Sequence, residues 1–268
     1  YGEGGPYETK KAYDLLIQSE SGFVSVTGSA EEPSKAGCSI ADISAGSYAY
    51  SSILNALLLR HKTGLGSHLD VSMLESMVEW MSFPLYYAFE GATPPPRSGA
   101  SHATIYPYGP FPVGDGNTIM LGLQNEREWV IFCEKVLAQK SLATDPEFDN
   151  NTKRAANRAR LRAVIVELFS KMTIAQVEQK LEEAQIANAR VNEMKDVWAH
   201  PQLKARNRWT EVGSPVGALP ALIPPATNNQ FDARMDPIPG IGEHTRAILK
   251  ELGVSPETVA LLEADKAI

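Results

Sequence analysis

Cysteine is scarce in this chain. Only Cys38 and Cys133 stand among 268 residues, too few for a disulfide framework or a cysteine-built metal cluster, so a reducing cytoplasm is the expected location. Long apolar runs are missing too, since none approaches the roughly 20 residues of a membrane-spanning helix. Nor is there an excess of positive charge. The formal net charge is −7, whereas a nucleic-acid partner calls for a basic face. His61, His68, His102, His200 and His244 are scattered, with no HExxH or CxxC spacing to gather a metal. No GxSxG elbow occurs, although spacing alone leaves a Ser-His-Asp triad open. Gly64-Leu65-Gly66 follows an expected helix instead of opening one, so it offers no converging N–H groups to a phosphate. Cys38 has no adjoining cation or evident helix start to activate its thiol.

What is present describes a globular protein of one or two domains: 43% hydrophobic residues and a mean hydropathy of −0.20. The opening Tyr1-Gly2-Glu3-Gly4-Gly5-Pro6 has loop composition and no initiating Met. It reads as the interior of a longer polypeptide, processed or divided between chains.

The most informative stretch runs from Cys38 through Asp42 to Ser47. Asp42 stands where a helix is expected to begin, ahead of the small residues Ser44, Ala45, Gly46 and Ser47. Ile53, Leu54, Leu57 and Leu58 follow at helical spacing, so the far end of that helix is expected to be buried. Two roles suit Asp42. As an N-cap, its carboxylate would only accept backbone N–H bonds. As a nucleophile, it would carry an acyl group as a mixed anhydride, which needs an ionised, unquenched carboxylate, a small-residue floor and N–H donors for the oxyanion. Asp14 follows Lys11 and Tyr13, a cation and a phenol able to grip a ligand; an ordinary i,i+3 Lys11–Asp14 helix pair is the alternative.

Elsewhere, Tyr13–Gln18 reads as a short helix stopped near Gly22, His68–Met73 as a strand, and Leu74–Tyr87 as an apolar helix. Arg60, His61 and Lys62 suit a helix C-terminus, with Gly64 as its left-handed exit. Three prolines at 94–96 mark a boundary, and the polar, aromatic loop beyond it is of a kind that binds more often than it packs. A hairpin is expected around Gly114–Asn117 before a strand at Thr118–Leu123, then a helix through Leu137. Residues 153–187 read as helical, with Leu161, Val164, Ile165, Leu168 and Phe169 on one face and Val177, Leu181 and Ala184 on another. Pro201 is expected to end a region holding Val197 and Trp198. Residues 213–240, rich in Pro and Gly, should wrap a surface, and two short helices should close the chain.

The runs KAYDLLIQSESGFVSVTG, SIADISAG, LLRHKTGLGSHLDVSMLE and GIGEHTRAILKELGVSPETV resemble the class III CoA-transferases, a family that includes the α-methylacyl-CoA racemases. The resemblance implies an α/β fold: a first portion of a Rossmann-like large domain at 1–80, a smaller α+β domain at 81–172, and a return to the large domain at 173–268. It also implies that an N-terminal segment contacting the CoA nucleotide is missing, and that subunits pair as interlocked homodimers. No cofactor would be permanently bound; acyl-CoA enters as substrate.

By that resemblance the nucleophile falls on Asp42, the CoA contacts on Lys11, Tyr13 and Asp14, and the pocket Met on Met73. A lid over the thioester falls near Gly99–Tyr106, but Ala100, Ser101, His102 and Ala103 replace its glycines, which points away from formate and oxalate. RSGASHATIYPYGPF, LQNEREW and VWAHPQL most resemble transferases of C4–C5 dicarboxylates such as mesaconate, itaconate, malate and citramalate, often with succinyl-CoA as donor. Arg97, His102, Thr104, Tyr106, Gln124 and Asn125 would then meet the substrate. A free carboxylate calls for a cation: Arg97, His102 or Arg127, of which Arg127 suits a plain surface cation best. Two alternatives stand beside transfer. One is a racemase using Asp14, against which Tyr13 replaces the His usual before that Asp; the other is a non-catalytic dimerisation half.

Overall fold

A computed structural model describes residues 1–268. They form two compact units, Tyr1–Val191 and Asn192–Ile268. Both sheets are antiparallel, and no helix is long and apolar enough to cross a membrane.

The first unit opens with α1 (Asp14–Glu20) and α2 (Phe23–Val26), separated at Gly22, whose φ of 83° is readily reached only without a Cβ. Next comes α3 (Ile40–Thr63), ended as expected by Gly64 in the left-handed region (φ 77°), with Arg60, His61 and Lys62 in its last turn. Then α4 (Met73–Tyr87) bends at Ser82, two residues before Pro84, where proline removes a donor and crowds the preceding turn. Ile17 of α1, Ala41 of α3 and Met77 of α4 form a small core joining the three helices.

Two expectations fail here. His68–Met73 is no strand, because Ser72 instead caps α4, its Oγ accepting the Glu75 N–H (3.3 Å). Nor is the far end of α3 buried. Ile53, Leu54, Leu57 and Leu58 are all exposed, Leu58 at 63%. Helical spacing identifies an apolar stripe but not its cover. Ala41 and Ser44 are buried, and Tyr48 and Ser52 line a cleft shared with α4, whereas Tyr50, Leu54 and Leu57 project from the opposite face.

The larger core runs from Tyr106 to Ile186. Strands β1 (Tyr108–Pro112) and β2 (Thr118–Gly122) form the expected hairpin, with Gly116 at φ 82° in the turn. Asp115 Oδ2 ties that turn to the Ile174 N–H (2.9 Å). α5 (Glu126–Ile131) continues as a π-turn through Val136; α6 (Asn151–Ala156), α7 (Arg158–Phe169) and α8 (Ile174–Glu183) follow. Leu161, Ile165, Phe169, Val177 and Leu181 are fully buried, on the faces expected. Strand β3 (Ala187–Arg190) then pairs with β2, giving the order β1-β2-β3.

In the second unit, α9 (Met194–Trp198) precedes α10 (Pro201–Ala205). Pro201 therefore starts a helix, at the first position where its missing N–H costs nothing. Strands β4 (Trp209–Val212) and β5 (Leu219–Leu222) form a ribbon, and Trp198 stacks on Trp209 at 4.5 Å. α11 (Thr245–Glu251) and α12 (Pro256–Ala264) are tied by Arg246 and Glu263.

Candidate active site

The first turn of α3 carries the reactive candidate. Ser39 is the N-cap and makes no side-chain bond, so Asp42 lies third inside the helix and caps nothing. That sets aside its reading as an N-cap. Its side chain is exposed, with no hydrogen bond or ion pair within the chain. One turn on, the buried Ser44 hydroxyl donates to the Ala41 carbonyl (2.8 Å), and a Cβ placed on Gly46 would meet open space. The carboxylate is thus accessible and unquenched beside a small-residue floor. Cys38 is exposed immediately before the N-cap, so a helix start does adjoin it, contrary to expectation.

Asp14 and Met73 come together with this turn. Asp14 Oδ1 accepts the Ala41 N–H (2.8 Å), and its Oδ2 accepts from Gln18 Nε2 (2.7 Å). Met73 packs on the core containing Ala41. Lys11 precedes α1 and forms no ion pair with Asp14, which removes the i,i+3 helix pair; Lys11 and the N-cap residue Tyr13 are both exposed. Gln18 escaped sequence reasoning. The only available signal was its i,i+4 spacing from Asp14.

The loop after the prolines is held from several sides. The Arg97 guanidinium donates to the Ser29 (2.8 Å), Ala30 (3.0 Å) and Ser25 (3.2 Å) carbonyls, so all three nitrogens are engaged by backbone at and beyond α2. His102 Nδ1 accepts the Ile105 N–H (3.0 Å) and the Thr104 N–H (3.2 Å), so the neutral ring carries its proton on Nε2. That ring stacks on Tyr108 at 5.3 Å. Thr104 is exposed, and its carbonyl accepts from Asn151 Nδ2 (2.9 Å). Tyr106 lies in the larger core with its hydroxyl unpartnered, and burial pushes its phenol up against the opposing pull of Arg162 and Arg158.

Gln124 is exposed and, with Tyr108, Met120, Gly122 and Asn188, lines a cleft of about 200 Å³ on the sheet. Asn125 is the N-cap of α5, its Oδ1 accepting the Glu128 N–H (3.0 Å). Arg127 is exposed and forms no ion pair. Two groupings result: Asp14, Gln18, Met73 and Asp42 at the mouth of α3, and His102, Tyr108 and Gln124 on the sheet. No group of three or more His, Cys, Asp or Glu is placed to hold a metal ion.

Residues 1–245 match the model of CoA-transferase family III. This chain belongs to that family. It is 30% identical over 276 residues to an acyl-CoA transferase of Fusarium pseudograminearum, covering all of this chain and 59% of the relative. It is 29% identical over 255 residues to the succinate–glutarate CoA-transferase of Agrobacterium fabrum, covering 94% and 63%. The chain thus spans less than two thirds of the length of these relatives. The mixed α/β fold is shared with a CaiB/BaiF family protein of Brucella suis, at a TM-score of 0.79 and 32% identity, covering 94% of this chain and 66% of that protein.

Proposed function

We propose that this family III chain belongs to an enzyme that moves CoA from an acyl-CoA, succinyl-CoA or a related dicarboxylyl-CoA, to a C4–C5 dicarboxylic acid, with Asp42 as the nucleophile. The observation that carries the reading is the exposed, unpaired Asp42 carboxylate in the first turn of a 24-residue helix. The Asp42 carboxylate attacks the thioester carbonyl. The tetrahedral oxyanion collapses, expels CoA thiolate and leaves a mixed anhydride. The thiolate then attacks the Asp42 carbonyl of that anhydride, releasing the donor acid and forming an aspartyl-CoA thioester. The acceptor carboxylate attacks this thioester, and the returning thiolate takes the acceptor acyl group, regenerating the carboxylate. The proposed oxyanion donors are backbone N–H groups left without a partner, that of Asp42 close to Ser44 or those of Ala100 and Ala103 in the 99–106 loop.

Lys11, Tyr13, Met73 and Asp14 border the CoA side. For the acceptor, His102 Nε2–H and the Gln124 carboxamide are the free donors near the sheet cleft, and Arg127 is an unpaired cation. A cleft of about 200 Å³ suits a small acid better than a whole acyl-CoA. Arg97, Tyr106 and Asn125 support the binding loops, and Thr104 marks their exposed rim. Epimerisation through Asp14 is disfavoured by Tyr13, which stands where the racemases this family resembles carry a His before that Asp.

The proposed domain plan has 1–80 and 173–268 in the large domain and 81–172 as the small α+β domain; the core that begins at Tyr106 runs on through α8 to Ile186, and β3 pairs with β2, so residues 173–190 pack with the small domain. We extend the proposal to a Rossmann-like large domain completed by residues outside this chain, an interlocked homodimer and a cytoplasmic setting. The test is exchange of labelled succinate into succinyl-CoA by the full-length protein. Asp42→Ala should abolish it, and mass spectrometry should find the acyl or CoA adduct on Asp42. Surviving turnover in the variant would refute the assignment.

A further inference from the structure

We propose that Gln18 is a positioning residue for the Asp42 nucleophile, acting through Asp14; the inference rests on the reading of Asp42 given above. Gln18 is fully buried, which is unusual for a carboxamide unless its hydrogen bonds are made. Both ends of the group are engaged. Its Oε1 accepts the Ala36 N–H (2.8 Å), and its Nε2 donates to Asp14 Oδ2 (2.7 Å). An amide N–H and a carboxylate can be satisfied together in only one orientation of the carboxamide, so the network itself fixes which end is oxygen. The other Asp14 oxygen accepts the Ala41 N–H (2.8 Å).

Two side chains on one short helix therefore grip the neighbouring segment at Ala36 and again at Ala41. Between those points, Cys38 and Ser39 are exposed. This bridge has no local substitute, because the N-cap Ser39 contributes no side-chain bond. The orphan N–H of the second helical residue is satisfied from α1 instead. Ala41 directly precedes Asp42, and its carbonyl receives the Ser44 hydroxyl. The backbone that aims the nucleophile is thus held from below by a part-buried relay, while the turn before it is open to solvent.

The relay has a donor–acceptor order: N–H to Gln18, Gln18 to Asp14, N–H to Asp14. Gln18→Leu keeps the bulk and removes both bonds. Asp14→Asn keeps an acceptor for Ala41 but turns an N–H₂ toward Gln18 Nε2, a donor facing a donor. The double variant Asp14→Asn/Gln18→Glu reverses the middle bond only. The new carboxamide at 14 donates to the new carboxylate at 18, and both backbone N–H groups keep an oxygen to bond. The same three contacts are therefore restored with opposite chemistry, and one negative charge is conserved.

The experiment is steady-state exchange in the full-length protein, with folding monitored by thermal melting and each rate normalised to folded enzyme. Gln18→Leu and Asp14→Asn should each lower kcat about 100-fold, the loss expected for a misplacement of about 1 Å. For Gln18→Leu, which touches no substrate, KM for the acyl-CoA should stay within about threefold, because the loss falls on the transition state. The double variant should regain most of kcat. Should Gln18→Leu fail to fold, Asp14→Asn and the double variant carry the same comparison. Single variants that melt earlier yet keep kcat per folded enzyme overturn the proposal, as does a double variant no better than Asp14→Asn. Asp42→Ala is run alongside: if it still turns over, the nucleophile reading falls and takes the relay with it. If it is inactive while Gln18→Leu turns over normally, only the relay falls.

Discussion

Replacing Arg154 by Met should cost about 3 kcal/mol of folding stability. The guanidinium is 2% exposed and lies 4.9 Å above the ring of Trp129. It donates from Nε to the Tyr106 carbonyl (3.0 Å) and from Nη1 to the Phe148 carbonyl (3.0 Å), and it grips both oxygens of Glu126 (2.7 and 3.1 Å). Met refills the aliphatic stem but strands the two carbonyls, at about 1–3 kcal/mol each. Glu126 is 53% exposed on the solvent side, so its orphaned carboxylate rehydrates and the full penalty for a broken buried pair does not apply. With a urea slope of about 3 kcal/mol/M for a chain of this size, the midpoint should fall by about 1 M. A shift below about 0.3 M would refute the accounting. The acid limb tests the Glu126 contribution separately. Arg154, chiefly by hydrogen bonding, holds the Glu126 carboxyl below its usual range. A lowered folded value means the contribution is complete above the unfolded value and disappears as pH falls through the folded one. The gap between wild type and variant should therefore narrow in acid; a constant gap removes Glu126 from the explanation.

Three further outcomes are expected. Gly28→Ala should destabilise by about 2 kcal/mol in thermal melts, since φ is +113° and a Cβ there would meet the Glu32 carbonyl oxygen at 2.3 Å; an unchanged melting temperature contradicts this. Native alkylation at pH 8 should modify Cys38 alone, because burial pushes the Cys133 thiol up to about 12; mass spectrometry before and after unfolding should count one adduct, then two. Asn125→Ala should cost about 1 kcal/mol as a lost helix cap, and urea titration would expose a neutral substitution.

What could be read from the sequence was local. Gly22, Gly64 and the Gly114–Asn117 turn end or reverse their elements through glycine geometry, and the stripe from Leu161 to Phe169 packs as its spacing requires. What escaped depends on partners far along the chain. Ala187–Arg190 has little strand propensity and forms β3 only because β2 offers an open edge. β4 and β5 were hidden at the border and within a Pro- and Gly-rich stretch, where only their mutual pairing distinguishes them from loop. At the site, Asp42 stood out by its small neighbours. Asp14 reads as part of a ligand grip, or as an i,i+3 partner of Lys11, until its bond to Ala41, 27 residues on, is seen. Arg97 looked like a cation for a substrate, yet its guanidinium is taken up by three carbonyls no pattern could have paired with it.

The late arrival of β3 has a consequence for biosynthesis. β1 and β2 can zip together as soon as Gly122 has emerged, but the free side of β2 must wait for Ala187–Arg190. Until then a nascent chain displays an open row of backbone donors and acceptors beside apolar side chains, an invitation to pair with a neighbour on the same message. A nascent chain halted with Gly122 emerged and Ala187–Arg190 still sheltered should therefore be the stickiest intermediate.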